Sequence, residues 1–371
     1  MAVEKINIKT FLELSLQNPV IDVRSPGEYN HAHFPSAFSL PLFSDEERKI
    51  VGTAYKQQSR EAAIKVGLDF FGVKMKGMVE EVEKIVDSCQ LTVASENTPS
   101  VNSQLTTTNS VLIYCWRGGM RSAGVAWLLD LYGFKVYTLV GGYKTFRRWA
   151  LNEFQNEYDL KILGGYTGSG KTDLVREMQK DGVPVLDLEK IANHKGSAFG
   201  ALGEEAQPSQ EMFENLLALN IYRITNSPAN KSSANGTGAT WVEDESQRIG
   251  KLIIPELFWK QMRNSPVSFL DIPFEERLKY LVENYGRHDK TKLGEAILRI
   301  QKRLGGLETK NALALLSEDN VTECFRILLN YYDRLYRKGL QNRKNYESLL
   351  NIIPCESVKV ENLTNVLQLQ V

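Results

Sequence analysis

The sequence predicts an α/β protein made of two parallel-sheet units and a helical C-terminal region, and three observations predict it. An apolar run at 111–114 ends on Cys115, passes through Trp116-Arg117-Gly118-Gly119-Met120-Arg121-Ser122, and leads into a stretch of helical periodicity. Gly165-Tyr166-Thr167-Gly168-Ser169-Gly170-Lys171-Thr172 is a complete G-x-x-x-x-G-K-T between a short strand and a helix. At 371 residues the chain is long for one core and comfortable for two.

Residues 1–150 are expected to form the first domain, in which short apolar runs alternate with helical stretches. Within it, 91–110 is rich in Ser, Thr and Asn without apolar periodicity and reads as a solvated insertion. After the loop, Val125, Leu128, Leu129 and Tyr132 share one helical face and Gly133 supplies the stop. Cys115 therefore sits at a strand-to-helix turn. Backbone N–H groups, the positive end of the helix and the guanidinium groups of Arg117 and Arg121 there favour a thiolate. Cys115, Arg117 and Arg121 are the catalytic candidates; Trp116, Gly118, Gly119 and Met120 complete an anion loop, the glycines letting backbone wrap inward. The alternative is a cysteine that merely closes a core strand. A strand at 134–140 ends in Gly141-Gly142, and 144–154 reads as a helix leading to the next domain, with Arg147 and Arg148 facing solvent or a phosphate backbone.

The second domain is expected at 151–288. The backbone of Gly165, Gly168, Ser169 and Gly170 together with Lys171 would hold phosphate oxygens, and the Thr172 hydroxyl would ligate Mg²⁺. Strands at 183–187, 240–244 and 267–271 each end in a carboxylate, as in a parallel sheet whose strand ends line a site. Asp187, His194, Glu243 and Asp244 are the candidate substrate or metal ligands there, Asp244 joining Thr172 if Mg²⁺ binds; capping of the next helix is the competing role for the carboxylates. The polar loop 193–200 either touches substrate or is ordinary surface, and 226–238 is a second insertion, expected to be mobile. Residues 289–371 are expected to be mainly helical and basic. Arg287, Lys290, Lys292, Arg299, Lys302 and Arg303 form one group, and Arg326, Arg334, Arg337, Lys338, Arg343 and Lys344 a second, interleaved with Tyr331, Tyr332 and Tyr336. Such groups suit an RNA backbone and a solvated helical face equally.

Forty-five basic against 45 acidic residues leave no net charge, so any nucleic-acid contact must be a local patch. Four cysteines lie far apart without a C-x-x-C pair, which argues against a zinc site and a disulfide framework and suits a reducing compartment. No signal-type h-region and no apolar run of membrane length is present, so a soluble, cytoplasmic protein is expected.

The cysteine loop resembles that of rhodanese-type sulfurtransferases, and so do Ile21-Asp22-Val23-Arg24-Ser25-Pro26-Gly27-Glu28-Tyr29, His33-Phe34-Pro35-Ser36-Ala37 and Leu40-Pro41-Leu42. The resemblance implies a rhodanese-like first domain. The spacing C-x5-R departs from the common C-x4-R and is shared with cysteine phosphatases, which implies a cradle for a phosphate-sized anion. Tyr114 stands where tyrosine phosphatases usually carry His, and no general-acid Asp is evident nearby. With the P-loop, Asn193-His194-Lys195-Gly196-Ser197-Ala198-Phe199-Gly200 and Trp241-Val242-Glu243-Asp244-Glu245-Ser246 following in order, the chain is similar over nearly its whole length to the tRNA 2-selenouridine synthase family.

That resemblance implies exchange of sulfur for selenium at carbon 2 of wobble-position 2-thiouridine in tRNA, with selenophosphate as donor and an S-geranylated intermediate made from geranyl diphosphate. Cys115 would carry selenium as an S-selanylcysteine, and Arg117 and Arg121 would bind selenophosphate. The P-loop would hold either a nucleotide or, preferred because the net reaction needs no nucleoside triphosphate, the diphosphate of geranyl diphosphate. Phe199, Trp241 and Trp259 are candidates for a prenyl pocket or for the core. No tightly bound cofactor is expected, Mg²⁺ is compatible, and selenophosphate synthetase is the implied donor source. Two rivals are a sulfurtransferase or cysteine phosphatase fused to a small-molecule kinase, and a non-catalytic RNA- or nucleotide-binding regulator.

Overall fold

The structure, a computed structural model, describes residues 3–95, 109–227 and 238–368. Most of the two polar insertions assigned to 91–110 and 226–238 therefore lies outside the described residues. The ends that are described extend regular structure: helix Met75–Ser95 runs into the first insertion and a strand starts at Ser110. The chain divides into two compact units, Met1–Asn152 and Glu153–Val371.

In the first unit five strands, β1 (Glu4–Ile6), β2 (Val20–Asp22), β3 (Phe38–Ser39), β4 (Ser110–Tyr114) and β5 (Lys135–Leu139), form an all-parallel sheet in the order β1-β5-β4-β2-β3. β4 lies at its centre with every residue buried. An unbroken apolar run is what such a doubly covered strand requires. Val125 and Leu129 of helix Met120–Tyr132 and Val82 and Val86 of helix Met75–Ser95 share one core with Val111 and Ile113.

The second unit holds another all-parallel sheet. It comprises β6 (Leu160–Gly165), β7 (Val185–Leu186), β8 (Thr240–Glu243), β11 (Val267–Asp271) and β12 (Leu350–Pro354), in the order β12-β11-β6-β8-β7. A two-stranded ribbon, β9 (Arg248–Ile249) and β10 (Leu252–Ile253), lies between β8 and β11 in sequence. From β6 the chain goes first to the β7–β8 side and later to the β11 side. The topological switch, where open parallel sheets bind ligands, therefore falls beside the P-loop strand. Helices Lys290–Leu304, Gly306–Ser317 and Val321–Gln341 pack around Leu293, Ile297, Phe325 and Leu328.

The C-terminal stretch assigned to 289–371 is mainly helical, as expected. It belongs to the second unit, and β12 completes the sheet by pairing in parallel with β11. β12 escapes sequence reading because it is an edge strand, mostly exposed, with Asn351 and Pro354 breaking its apolar run. No helix among the described residues is long and apolar enough to cross a membrane, and all four cysteines are free.

Candidate active-site loops and an acidic cluster

Cys115 leaves the C-terminal end of β4 and is 3% exposed. The Gly119 N–H, at the start of helix Met120–Tyr132, donates to its Sγ at 3.3 Å, and Ser122 Oγ lies 3.2 Å from the same sulfur. The loop is seated on the Gly141-Gly142 turn: Tyr143 N–H donates to Cys115 O at 2.8 Å and Lys144 N–H to Trp116 O at 3.1 Å. Gly142 has φ 59°, and a Cβ there would lie 2.2 Å from Cys115 O and 2.5 Å from Gly118 N. Only glycine permits that approach. Trp116 and Met120 are exposed at the loop, with the Trp116 ring 5.7 Å from that of Tyr143.

The two arginines of the loop differ. Arg117 is exposed and forms no ion pair among the described residues. Arg121 instead donates to Glu28 Oε2 at 2.7 Å, so its charge is shared with a carboxylate and is not free for an anion in this state. Glu28 caps helix Pro26–His31 with Ser25 and also meets Arg48 Nε at 2.9 Å. Burial would push the Glu28 carboxyl up; the hydrogen bond and charge of Arg121, with the Ser25 N–H and Arg48, outweigh it and hold the carboxyl below its usual value. Sequence reading missed Glu28, although it lies in the capping pattern Ser-x-x-Glu. Tyr114 does no surface work. Its hydroxyl donates to Asp22 Oδ2 at 2.7 Å and accepts from Phe34 N–H at 3.0 Å, within a buried network that includes the Arg24–Asp22 pair.

In the second unit the P-loop joins β6 to helix Lys171–Lys180. Gly168, at φ 79°, lies so close to helix Phe274–Tyr285 that a Cβ would fall 2.9 Å from Arg277 O. Arg277, 3% exposed, donates to Thr167 O at 3.0 Å and Ile272 O at 3.1 Å and grips both oxygens of Asp333 at 2.8 and 2.7 Å. Tyr336 accepts from Gly165 N–H at 3.2 Å and donates to Asp244 Oδ2 at 2.7 Å. Helix Val321–Gln341 thus braces the P-loop backbone. Lys171 Nζ rests on Gly165 O at 2.8 Å, inside the loop it would vacate for a phosphate.

The metal ligands assigned from sequence regroup. Asp244 is paired with buried Arg343 and with Tyr336, so it is not a partner for Thr172. Thr172 Oγ1 donates to Glu189 Oε2 at 2.8 Å. Glu189, Glu243 and Glu245 bring one oxygen each within 4.8 Å of one another. Glu243 is fully buried and neither of its oxygens has a hydrogen-bond partner. Burial, then the charges of Glu189, Asp187 and Glu245, push the Glu243 carboxyl well above its usual range; Glu189 and Glu245 are also raised, chiefly by burial. Three carboxylates and a hydroxyl are hard oxygen donors of the type Mg²⁺ takes, and the orphaned Glu243 oxygens fit such an ion. Asp187 caps helix Leu188–Ala192 through Lys190 N–H at 2.8 Å, so it supports the cluster without joining it. Glu189 went unnoticed in sequence, and Glu245 was read only as part of the acidic 241–246 segment; each lies two residues beyond a carboxylate named as a candidate ligand.

The 193–200 loop lies against this cluster, because a Cβ on Gly196 would fall 2.6 Å from Glu245 Oε2. His194 is buried with no partner at Nδ1, and burial followed by the charge of Arg299 lowers its pKa. Phe199 and Trp241 are core residues, and Trp259 stacks beneath Arg263 with its centroid 5.6 Å from Cζ. Of the basic C-terminal groups, Arg326 is tied to Glu275 and Glu323, Lys290 to Asp319 and Arg343 to Asp244, while Tyr331, Tyr332 and Tyr336 are packed inward.

A family model described as "tRNA 2-selenouridine synthase AAA domain" matches residues 158–351, the segment carrying the P-loop, the acidic cluster and the bracing helices. Similar proteins named tRNA 2-selenouridine synthase include one from Nitrosomonas europaea, 31% identical over 88% of this chain and 90% of its own. One from Bdellovibrio bacteriovorus is 31% identical over 92% and 94%, and one from Hydrogenovibrio crunogenus 33% identical over 90% and 92%. The similarity spans both units at this level of identity, and on it the chain belongs to the tRNA 2-selenouridine synthase family.

Proposed function

We propose that the protein exchanges sulfur for selenium at carbon 2 of wobble-position 2-thiouridine in tRNA, through an S-geranylated base, with selenophosphate as the selenium donor. Two phosphate-sized anion cradles of different chemistry in one chain carry this reading. One is headed by a thiol that accepts the Gly119 N–H; the other is headed by Lys171 and Thr172 with three carboxylates beside them. The reading makes the first unit rhodanese-like, with the Cys115 thiolate at the site where selenium is transferred. Arg117, exposed at the loop, binds selenophosphate, and Arg121 joins it when Glu28 yields.

In the P-loop, Lys171 exchanges Gly165 O for the diphosphate of geranyl diphosphate, and the backbone amides hold its oxygens. Glu189, Glu243, Glu245 and Thr172 would hold Mg²⁺, which supplies charge neutralisation to a departing diphosphate. The tRNA sulfur attacks the geranyl carbon as the carbon–oxygen bond to diphosphate breaks. The selenium of selenophosphate then attacks carbon 2 as the carbon–sulfur bond breaks and geranyl thiol leaves with a proton, and water cleaves the phosphorus–selenium bond to release phosphate. The cytoplasm, where tRNA is modified, is the proposed compartment, with a selenophosphate synthetase supplying the donor.

The test is nucleoside mass spectrometry of 2-thiouridine tRNA incubated with geranyl diphosphate and selenophosphate, singly and together. Wild type yields 2-selenouridine, Cys115→Ser stops at the geranylated base, and Lys171→Ala makes neither. ATP hydrolysis or phosphate-ester cleavage without any modified base would replace this reading by a phosphatase or sulfurtransferase fused to a kinase.

A further inference from the structure

The exposed cations of two C-terminal helices form one track that ends at the P-loop. In helix Lys290–Leu304 the buried positions Leu293, Ala296, Ile297 and Leu304 face the core. Arg299, Lys302 and Arg303 consequently line up on the outer face at spacings of three and four residues. Arg303 lies close enough to Tyr331 for its charge to act on the phenol, which places this row beside helix Val321–Gln341. There Arg334, Arg337 and Lys338 are exposed one and two turns further along. Arg337 in turn lies close enough to Tyr166 of the P-loop to interact with its phenol.

Charge is what makes the row unusual. None of these six cations forms an ion pair with a carboxylate among the described residues. Asp333, the acid in their midst, is engaged through both oxygens by Arg277. Glu295, one turn before Arg299, is the acid at the far end. Neighbouring like charges at helical spacing destabilise each other, and a partner that presents negative charges in sequence relieves that repulsion. The neutral balance of the whole chain makes such a concentration local.

We propose that this track, from Arg299 to Arg337, is the surface on which the sugar–phosphate backbone of the substrate tRNA lies while its base reaches the P-loop site. The proposal rests on the tRNA-modifying reading above and names the surface that reading requires. Phosphate contacts of this kind give register and affinity without reading sequence. The neighbouring helical cations already spent in ion pairs, Lys290 and Arg326, do not belong to it.

The test measures binding of 2-thiouridine tRNA to the full chain across a KCl titration. The variant is Lys302→Ala/Arg334→Ala/Lys338→Ala, three exposed side chains that form no ion pair among the described residues. Its expected affinity is at least about tenfold weaker at 0.15 M salt, and its log K against log salt slope is shallower by about two to three, at roughly 0.7–0.9 for each phosphate no longer neutralised. Pyrophosphate affinity at the P-loop stays at the wild-type value, which shows the fold is intact. The control, Lys56→Ala/Arg60→Ala/Lys65→Ala on exposed positions of the first unit, binds tRNA like wild type. Wild-type slope and affinity in the first variant overturn the track and leave the tRNA reading standing; a track that serves an acidic protein gives this result. Equal weakening by both variants also overturns it, because the binding surface is then diffuse. Absence of tRNA binding by wild type removes the tRNA reading and the track together.

Discussion

Replacing Arg277 by Leu should loosen the P-loop, and the cost can be worked from its contacts. The guanidinium makes four hydrogen bonds, to Ile272 O, Thr167 O and both oxygens of Asp333. Loss of one partner from a buried ion pair costs about 3–5 kcal/mol because the other charge is left uncompensated. Asp333 retains 17% side-chain exposure, so water screens part of its charge and the low end, about 3 kcal/mol, applies. Arg277→Leu/Asp333→Leu removes the stranded charge and should recover about 1–2 kcal/mol of that loss, although Thr167 O and Ile272 O still lack their donor. The assay is urea unfolding read by pulsed hydrogen exchange in peptides covering 160–165, which isolates the second unit. Pyrophosphate binding should fall about tenfold or more in the single variant, since the carbonyl of Thr167 loses its anchor. A single-variant loss below about 1 kcal/mol, or a double variant no more stable than the single one, would refute the assignment of Arg277 as the brace of the P-loop.

Three further outcomes follow from the same contacts. Gly142→Ala places a Cβ 2.2 Å from Cys115 O at a positive φ; it should cost at least about 1–2 kcal/mol and speed alkylation of Cys115, measured with iodoacetamide, because the loop is pushed off its seat. Glu28 is held below its usual value in the folded chain, so the stability it adds is complete above the unfolded value near 4.3 and is lost as pH falls through the folded one. Glu28→Gln should accordingly flatten the acid limb of the first unit's stability curve and free Arg121, which a selenophosphate or phosphate titration would register as tighter anion binding. Glu243 has the opposite sign: its raised carboxyl keeps a proton the unfolded chain gives up, so folding loses stability as pH rises above about 4.3. In EDTA, Glu243→Gln should match wild type at pH 4 and become more stable with rising pH, by up to about 1.4 kcal/mol per pH unit, while Mg²⁺ should stabilise wild type alone.

The two glycine-rich loops and the strands feeding them were legible because their signals are local. A fully buried parallel strand must be an apolar run, so 111–114 and 160–163 announce β4 and β6, and Val267–Asp271 is found within the limits read for it. A phosphate-binding loop must carry glycines where its backbone turns, and a G-x-x-x-x-G-K-T leaves little else to supply. The C-terminal region was legible as helix from its periodicity, but β12 was hidden by its exposed edge position.

What the sequence by itself determined, then, is composition that forces backbone: which runs become central strands, which turns are built on glycine, and which family the chain resembles. Side-chain partnership was decided by tertiary structure. Asp244 and Glu243 are adjacent at a strand end, and alternation of side chains along that strand sends one to Arg343 and Tyr336 and the other, buried and with both oxygens unpartnered, into the acidic cluster with Glu189 and Glu245. Glu28 reaches Arg121 across 93 residues and Asp333 reaches Arg277 across 56. A carboxylate's role depends on which charge faces it and how much water remains, and neither is fixed until the chain has folded.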